Sequence, residues 1–278
     1  MGTTADWEVV RPGRPSRVAG VRMAGFRSRG PVDVRAVGHP AVTLVLEFGD
    51  GPLVVDENLE QQGNLVARPA FGGLRVRGEQ VECVQVRLSP VAAHAVLGTW
   101  QDHTVVALDD LWGREAARIR ERFGEASSWQ ERFAMADAVL ARRYEDGPRV
   151  DPEVARAWDR INAGRGRVRV DDLAAEVGWS RKRLWSRFQA QLGMPPKRAA
   201  RLVRFDHAAR GLAAGREAAR VAAESGYADQ SHLHRDVRAF SGLTPAAMTG
   251  QVWLAVDRLA WGNIRPIPAD AARTTLAG

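Results

Sequence analysis

The stretch "VAAESGYADQSHLHRDVRAFSGLTP", Val221 to Pro245, decides the fold because the chain contains it twice. "LAAEVGWSRKRLWSRFQAQLGMPP", Leu173 to Pro196, runs almost in register with it. Both copies open with an aliphatic residue, Ala-Ala and Glu, and both reach a glycine followed by an aromatic, Gly178-Trp179 and Gly226-Tyr227. Each then carries an apolar pair four residues apart, Leu184/Phe188 and Leu233/Val237. Each closes on a glycine and a proline three beyond it, Gly193/Pro196 and Gly242/Pro245, with one extra residue in the second turn. Leu233, Val237 and Phe240 recur at i, i+4 and i+7, one buried stripe of a short helix. Two short helices joined by a glycine turn, the first packed through small alanines, make a helix-turn-helix. The face opposite the stripe carries Lys182, Ser186 and Gln189, flanked by Trp185, in the first copy. In the second it carries Ser231, His234, Arg235 and Arg238, flanked by His232. Such faces offer donors to phosphates and to base edges.

Charge is distributed to match. The 278-residue chain has a net charge of +7, but residues 1–148 hold 18 basic against 20 acidic side chains. Residues 149–250 hold 19 against 11, so the basic excess lies around the repeat, as an anionic partner requires. Arginine outnumbers lysine 38 to 2, which GC-rich coding alone explains, so the sign of the charge is informative and the choice of arginine is not.

"YEDGPRVDPE", Tyr144 to Glu153, breaks a helical pattern with Gly147, Pro148 and Pro152 and marks a boundary. Upstream, residues about 17 to 90 read as strands; "VTLVLEF" and "GPLVVDE" around "GDGP" suggest a hairpin, and "VECVQVRL" alternates. "VAAHAVLG" reads as a short helix. "DDLWGREAARIRERF" and "SSWQERFAMADAVLARRY" then read as an αα-hairpin with apolar faces Trp112/Ala116/Ile119/Phe123 and Trp129/Phe133/Ala136/Leu140. That hairpin packs on the sheet, on a second subunit, or on both. Downstream no strand is evident, and Pro196 to Ala214 is a long connector between the two units. Trp253 to Trp261 is expected to pack on the last helix, with a loose tail after it. The domains expected are therefore 1–146, β-rich with a helical hairpin; 147–262, all-α; and 263–278, a tail. The class is α+β.

No run approaches the roughly 18 apolar residues of a membrane span. "MGTTADWEVVRPGRPSR" has no apolar core of the kind a signal peptide needs, and the single cysteine, Cys83, excludes an internal disulfide framework. A cytoplasmic location is expected. Cys83 alternates within a β-rich run and reads as a buried thiol. His39, His94 and His103 are scattered without metal-ligand spacing, and His232 and His234, two apart, do not share a helix face. "FGGLRVRGE" precedes no helix and makes no phosphate loop. No cofactor and no catalytic arrangement are expected.

The paired units, above all "GYADQSH…R…F…G.TP", resemble the AraC/XylS family of bacterial transcription regulators over about Val150 to Gly250. Residues 1–140 match the family's variable sensing and dimerisation half far more weakly. The resemblance implies two recognition helices in successive major grooves of double-stranded DNA. It places base-reading positions at Lys182, Trp185, Ser186, Ser231, His232, His234 and Arg235. Gln189 joins the exposed face, and Arg201 and Arg238 are expected to meet phosphates. A homodimer, a small-molecule effector and contact with RNA polymerase are the further partners implied. Ala199, where the family usually has an aromatic, Val237, at a common phenylalanine position, and Met248-Thr249, in place of an aromatic-arginine ending, depart from the pattern. The competing reading is a DNA-directed enzyme targeted by the same motif, which needs a nucleophile or metal cluster in residues 17–143.

Overall fold

The structure, a computed structural model, describes residues 6–49, 51, 53–55, 64–69, 72–98, 104–249 and 251–261. His103 and residues 263–278 lie outside these. The β-rich half contributes β1 (Asp6–Val10), β2 (Val21–Arg29), β3 (Val32–Ala36), β4 (Val42–Glu47), β5 (Leu53–Val55), β6 (Leu65–Ala67), β7 (Leu74–Gly78) and β8 (Glu82–Leu88). After α1 (Pro90–Leu97) come β9 (Val105–Ala107), α2 (Leu108–Trp112), α3 (Arg114–Glu125) and α4 (Trp129–Asp146).

The strands form two antiparallel sheets, β1-β2-β8-β4-β6-β9 and β3-β7-β5. The expected hairpin at "GDGP" is not made: β4 pairs with β8 and β6, whereas β5 pairs with β7 in the other sheet. The turn signal marks a crossing between sheets, where turn residues are needed just as much. Alternation assigns the faces of the larger sheet. Val21, Met23, Val42, Leu44, Leu46, Val84, Val86 and Leu88 point toward the helices. Ala24, Phe26, Val45 and Cys83 point toward the smaller sheet.

The expected faces Trp112/Ala116/Ile119/Phe123 and Phe133/Ala136/Leu140 are buried against that first set, with Trp129 partly buried beside them. A Cβ at Gly25 would stand 2.5 Å from the Trp129 ring, so a glycine under α4 is what lets the tryptophan seat on β2. The first hairpin helix is two pieces, broken at Gly113 with φ 55°. The hairpin therefore covers its own sheet, and the faces offered by sequence for a second subunit are already used.

The helical half contains α5 (Pro152–Ala163), α6 (Val170–Glu176), α7 (Arg181–Leu192), α8 (Pro196–Ala213), α9 (Ala218–Glu224), α10 (Gln230–Ser241) and α11 (Pro245–Met248). Its core runs continuously through Trp158, Leu184, Phe188, Phe205, Leu233, Val237 and Phe240, with Val37 the one fully buried contributor from the other half among the described residues. A last helix, α12 (Val252–Trp261), departs from expectation. Val256, Ala260 and Trp261 pack not on α10 but among Phe26, Val32, Leu53 and Val55, with the Phe26 and Trp261 rings 6.4 Å apart. The apolar face of α12 was legible; its partner, distant in sequence, was not. No helix among the described residues is long and apolar enough to cross a membrane.

Candidate nucleic-acid interface

The two units are built alike. Gly178 and Gly226 turn the chain between α6 and α7 and between α9 and α10 with φ of 69° and 73°, a conformation that side chains with a Cβ avoid. Ser180 and Asp229 cap the second helices, accepting from the backbone N–H of Arg183 (3.2 Å) and His232 (2.7 Å). Gly193 and Gly242 end them in the left-handed conformation. The 18-residue α8 joins the units, so both recognition helices are referred to one rigid rod.

Burial separates the faces as the periodicity predicts. Leu184, Phe188, Leu233, Val237 and Phe240 are inside, whereas Lys182, Trp185 and Ser186 on α7 and Ser231, His232, His234, Arg235 and Arg238 on α10 are exposed, and Gln189 is half-buried. Trp185 is 53% exposed and does not fold back as packing.

Arg201 does not stand free as expected for a phosphate contact. Its Nε and Nη2 both donate to Asp236 Oδ1, at 3.2 and 2.6 Å, and Arg204 Nη2 reaches Oδ2 at 3.4 Å. Asp236 lies on the inner side of α10 between the stripe residues, 5% exposed, so this ionic group fastens the recognition helix to the connector. Sequence reasoning passed over Asp236, although a lone carboxylate on the apolar side of a basic helix is a legible signal. It also passed over Gln230, whose side-chain nitrogen lies 3.3 Å from His234 Nε2 and orients that ring. Asp229 is held below the usual carboxylate range, first by the backbone N–H of His232 and further by the His232 side chain and Arg235. On α7, Arg187 forms a two-point ion pair with Asp151 at 2.7 and 2.8 Å, tying that helix to the start of α5. Arg183 lies over the Trp179 ring at 4.4 Å.

The β-rich half holds the far end of α10. Gly72 N–H donates to Ala239 O at 2.7 Å and Gly38 N–H to Phe240 O at 3.4 Å, satisfying carbonyls that a helix end leaves open. Cys83 is buried and its thiol is pushed up by that burial, as an inert core residue should be.

Residues 173–251 match the family model described as "Helix-turn-helix domain". No curated protein matches the chain. Among solved structures the chain is similar to ToxT from Vibrio cholerae O395, at 10% identity over 84% of this chain and 98% of that one, with a TM-score of 0.46. It is also similar to the C-terminal domain of AraT, a response regulator from Geobacillus stearothermophilus, at 20% identity over 36% and 86%, with a TM-score of 0.35. The AraC-like transcriptional activator CuxR aligns at 15% identity over 70% and 84%, with a TM-score of 0.28. Two capped helix-turn-helix units on one connector, together with the family match over residues 173–251, identify the helical half as a helix-turn-helix domain.

Proposed function

We propose that this chain is a sequence-specific regulator of transcription that sets α7 and α10 into successive major grooves of double-stranded DNA. The observation that carries the reading is the pair of exposed polar faces, repeated in register and joined by α8, inside the only strongly basic segment of the sequence. Lys182, Trp185, Ser186, Ser231, His232, His234 and Arg235 are the base-edge readers in this proposal, with Gln189 beside them and Arg238 on phosphate. Arg201 is reassigned to positioning α10 through Asp236. The β-rich half serves as sensor, and residues 1–146, 147–249 and the returning α12 are its working divisions. An apolar cavity of about 90 Å³ between the sheets, lined by Trp7, Val34, Val45, Leu53, Val76 and Cys83, supports a sensing role. Assembly as a homodimer and contact with RNA polymerase belong to the same proposal, with any dimer surface lying outside the buried faces of α3 and α4.

The test is selection of bound duplexes from a random pool by the full chain, followed by binding to the selected site and to scrambled competitor across a salt series. The proposal expects a bipartite site with its two halves about one helical turn apart. Equal affinity for selected and scrambled duplexes refutes it.

A further inference from the structure

Where the two halves meet, a cleft of about 320 Å³ gathers more positive charge than it neutralises. Arg22 and Arg87 enter it from β2 and β8; Arg165 and Arg210 enter from the end of α5 and from α8. Two carboxylates answer these four cations. Asp206 accepts from Arg210 Nη2 at 2.9 Å, and Asp257 of α12 pairs with Arg87. Among the described residues the Arg22 side chain has no hydrogen bond or ion pair; its guanidinium lies 5.5 Å from the centre of the Trp261 ring. Arg87 is only 3% exposed, and its Nε is buried with no acceptor. His39 turns Nε2 to Thr43 Oγ1 at 3.0 Å, while its Nδ1 is buried at the cleft wall without a partner.

Unpaired buried donors and crowded guanidinium groups cost stability, and a native fold keeps them where something answers them. The crowding is felt at Arg22, whose pKa falls to about 10, through burial first and then through Arg87 and Arg210. A cleft with two surplus positive charges, open donors and walls from both halves suits a compact ligand with two negative charges. Neither an apolar molecule nor a polymer answers these groups.

We infer that the cleft formed by Arg22, Arg87, Arg165 and Arg210 is a binding site for a small organic or inorganic dianion, a dicarboxylate or a phosphate group, which bridges the β-rich and helical halves. Guanidinium groups bind both chemistries through paired N–H donors. The inference rests on the proposed sensing role only for its effect on DNA; anion binding itself is independent of it.

The experiment is thermal unfolding of the full chain with succinate, inorganic phosphate or acetate, at constant ionic strength and pH 7.5. A ligand bound only by the folded state raises the melting midpoint in a saturable way. Succinate, phosphate or both are expected to do so, with acetate at the same concentration weaker; which dianion is preferred assigns the ligand class. Arg22→Gln should weaken that binding at least about tenfold, while Arg22→Lys retains part of it. Arg120→Ala, exposed on α3 and outside the cleft lining, should leave it unchanged. A shift that never saturates, equal shifts with acetate, undiminished binding in Arg22→Gln or lost binding in Arg120→Ala overturns the site. Should Arg22→Gln fail to fold, Arg22→Lys with the acetate comparison decides alone. DNA affinity measured separately with and without succinate distinguishes the two readings: absent anion binding with intact DNA recognition sinks this inference only, and the converse sinks only the proposed function.

Discussion

Replacing Asp236 with asparagine removes the charge that holds α10 on α8 while keeping nearly the same shape. In the native protein this carboxylate accepts two bonds from Arg201 and one longer one from Arg204. A hydrogen bond to a charged group contributes about 1.5–3 kcal/mol, and breaking a fully buried ion pair costs about 3–5. The guanidinium groups are not fully buried, at 39% and 25% side-chain exposure, so water recovers part of what they lose. The residual amide oxygen still accepts one bond. We therefore expect Asp236→Asn to destabilise the helical half by about 2 kcal/mol, toward the lower of these ranges. A double-mutant cycle with Arg201→Gln, followed by urea unfolding, isolates the pair. Its coupling should be about 1 kcal/mol or more, and the two changes together should cost clearly less than their sum. DNA binding by the folded fraction should weaken at the α10 half-site and hold at the α7 half-site. If the single variant unfolds within about 0.5 kcal/mol of the parent, as an ordinary surface change does, Asp236 is no anchor and the reassignment of Arg201 falls with it.

Arg235→Ala should relax preference at one base pair by about 1–3 kcal/mol, whereas Arg238→Ala should weaken every duplex alike and flatten the salt dependence; a uniform loss in Arg235→Ala contradicts the reading assignment. Phe133→Asp, 3% exposed in the native fold, should cost at least the roughly 3–5 kcal/mol of emptying a core aromatic site and melt the β-rich half; a soluble, cooperatively folded variant that merely dissociates would restore α4 as a subunit interface. Burial, reinforced by Arg87, Arg22 and Arg210, holds the His39 imidazole well below its ordinary 6.5, so the unfolded chain takes up the proton first on acidification. Stability should thus be level above pH 6.5 and fall below it, with His94 and His207, also lowered mainly by burial, adding to the slope; urea midpoints that rise from pH 7 to 6 contradict this sign. A fragment of residues 148–249 should fold and bind specific duplexes, because its core is nearly all its own; circular dichroism of an unfolded chain would refute that.

The helical half was readable because its signals are local. Gly178 and Gly226 and the stripes Leu184/Phe188 and Leu233/Val237/Phe240 each act within a few residues. The candidate reading face followed directly, as the part of each helix that those stripes leave over. The sheets were readable as strands but not as pairings. β4 and β8 both alternate, yet nothing in either names Val84 as the partner of Leu46, and the sequence "GDGP" suits a hairpin or a crossing equally well. The role of Arg201 was hidden for a related reason: an arginine on a basic helix looks solvated until its carboxylate, 35 residues away, is brought beneath it. Trp261 was recognisable as apolar, but its surroundings come from the opposite end of the chain.

That last contact sets an order of events during synthesis. Phe26, Val32, Leu53 and Val55 are made early, but Val256, Ala260 and Trp261, which complete their cluster, follow the whole helical half. A nascent β-rich half, complete at Asp146, therefore carries an open apolar seam while the 110 residues from there to Val256 are translated. The helical half takes from α12 only the partly buried Leu254 at the edge of its core and is free to fold in the interval. On this timetable the first-made part of the protein is the last to be finished, and a stalled or truncated translation product would be competent in its recognition helices while still sticky at its sheets.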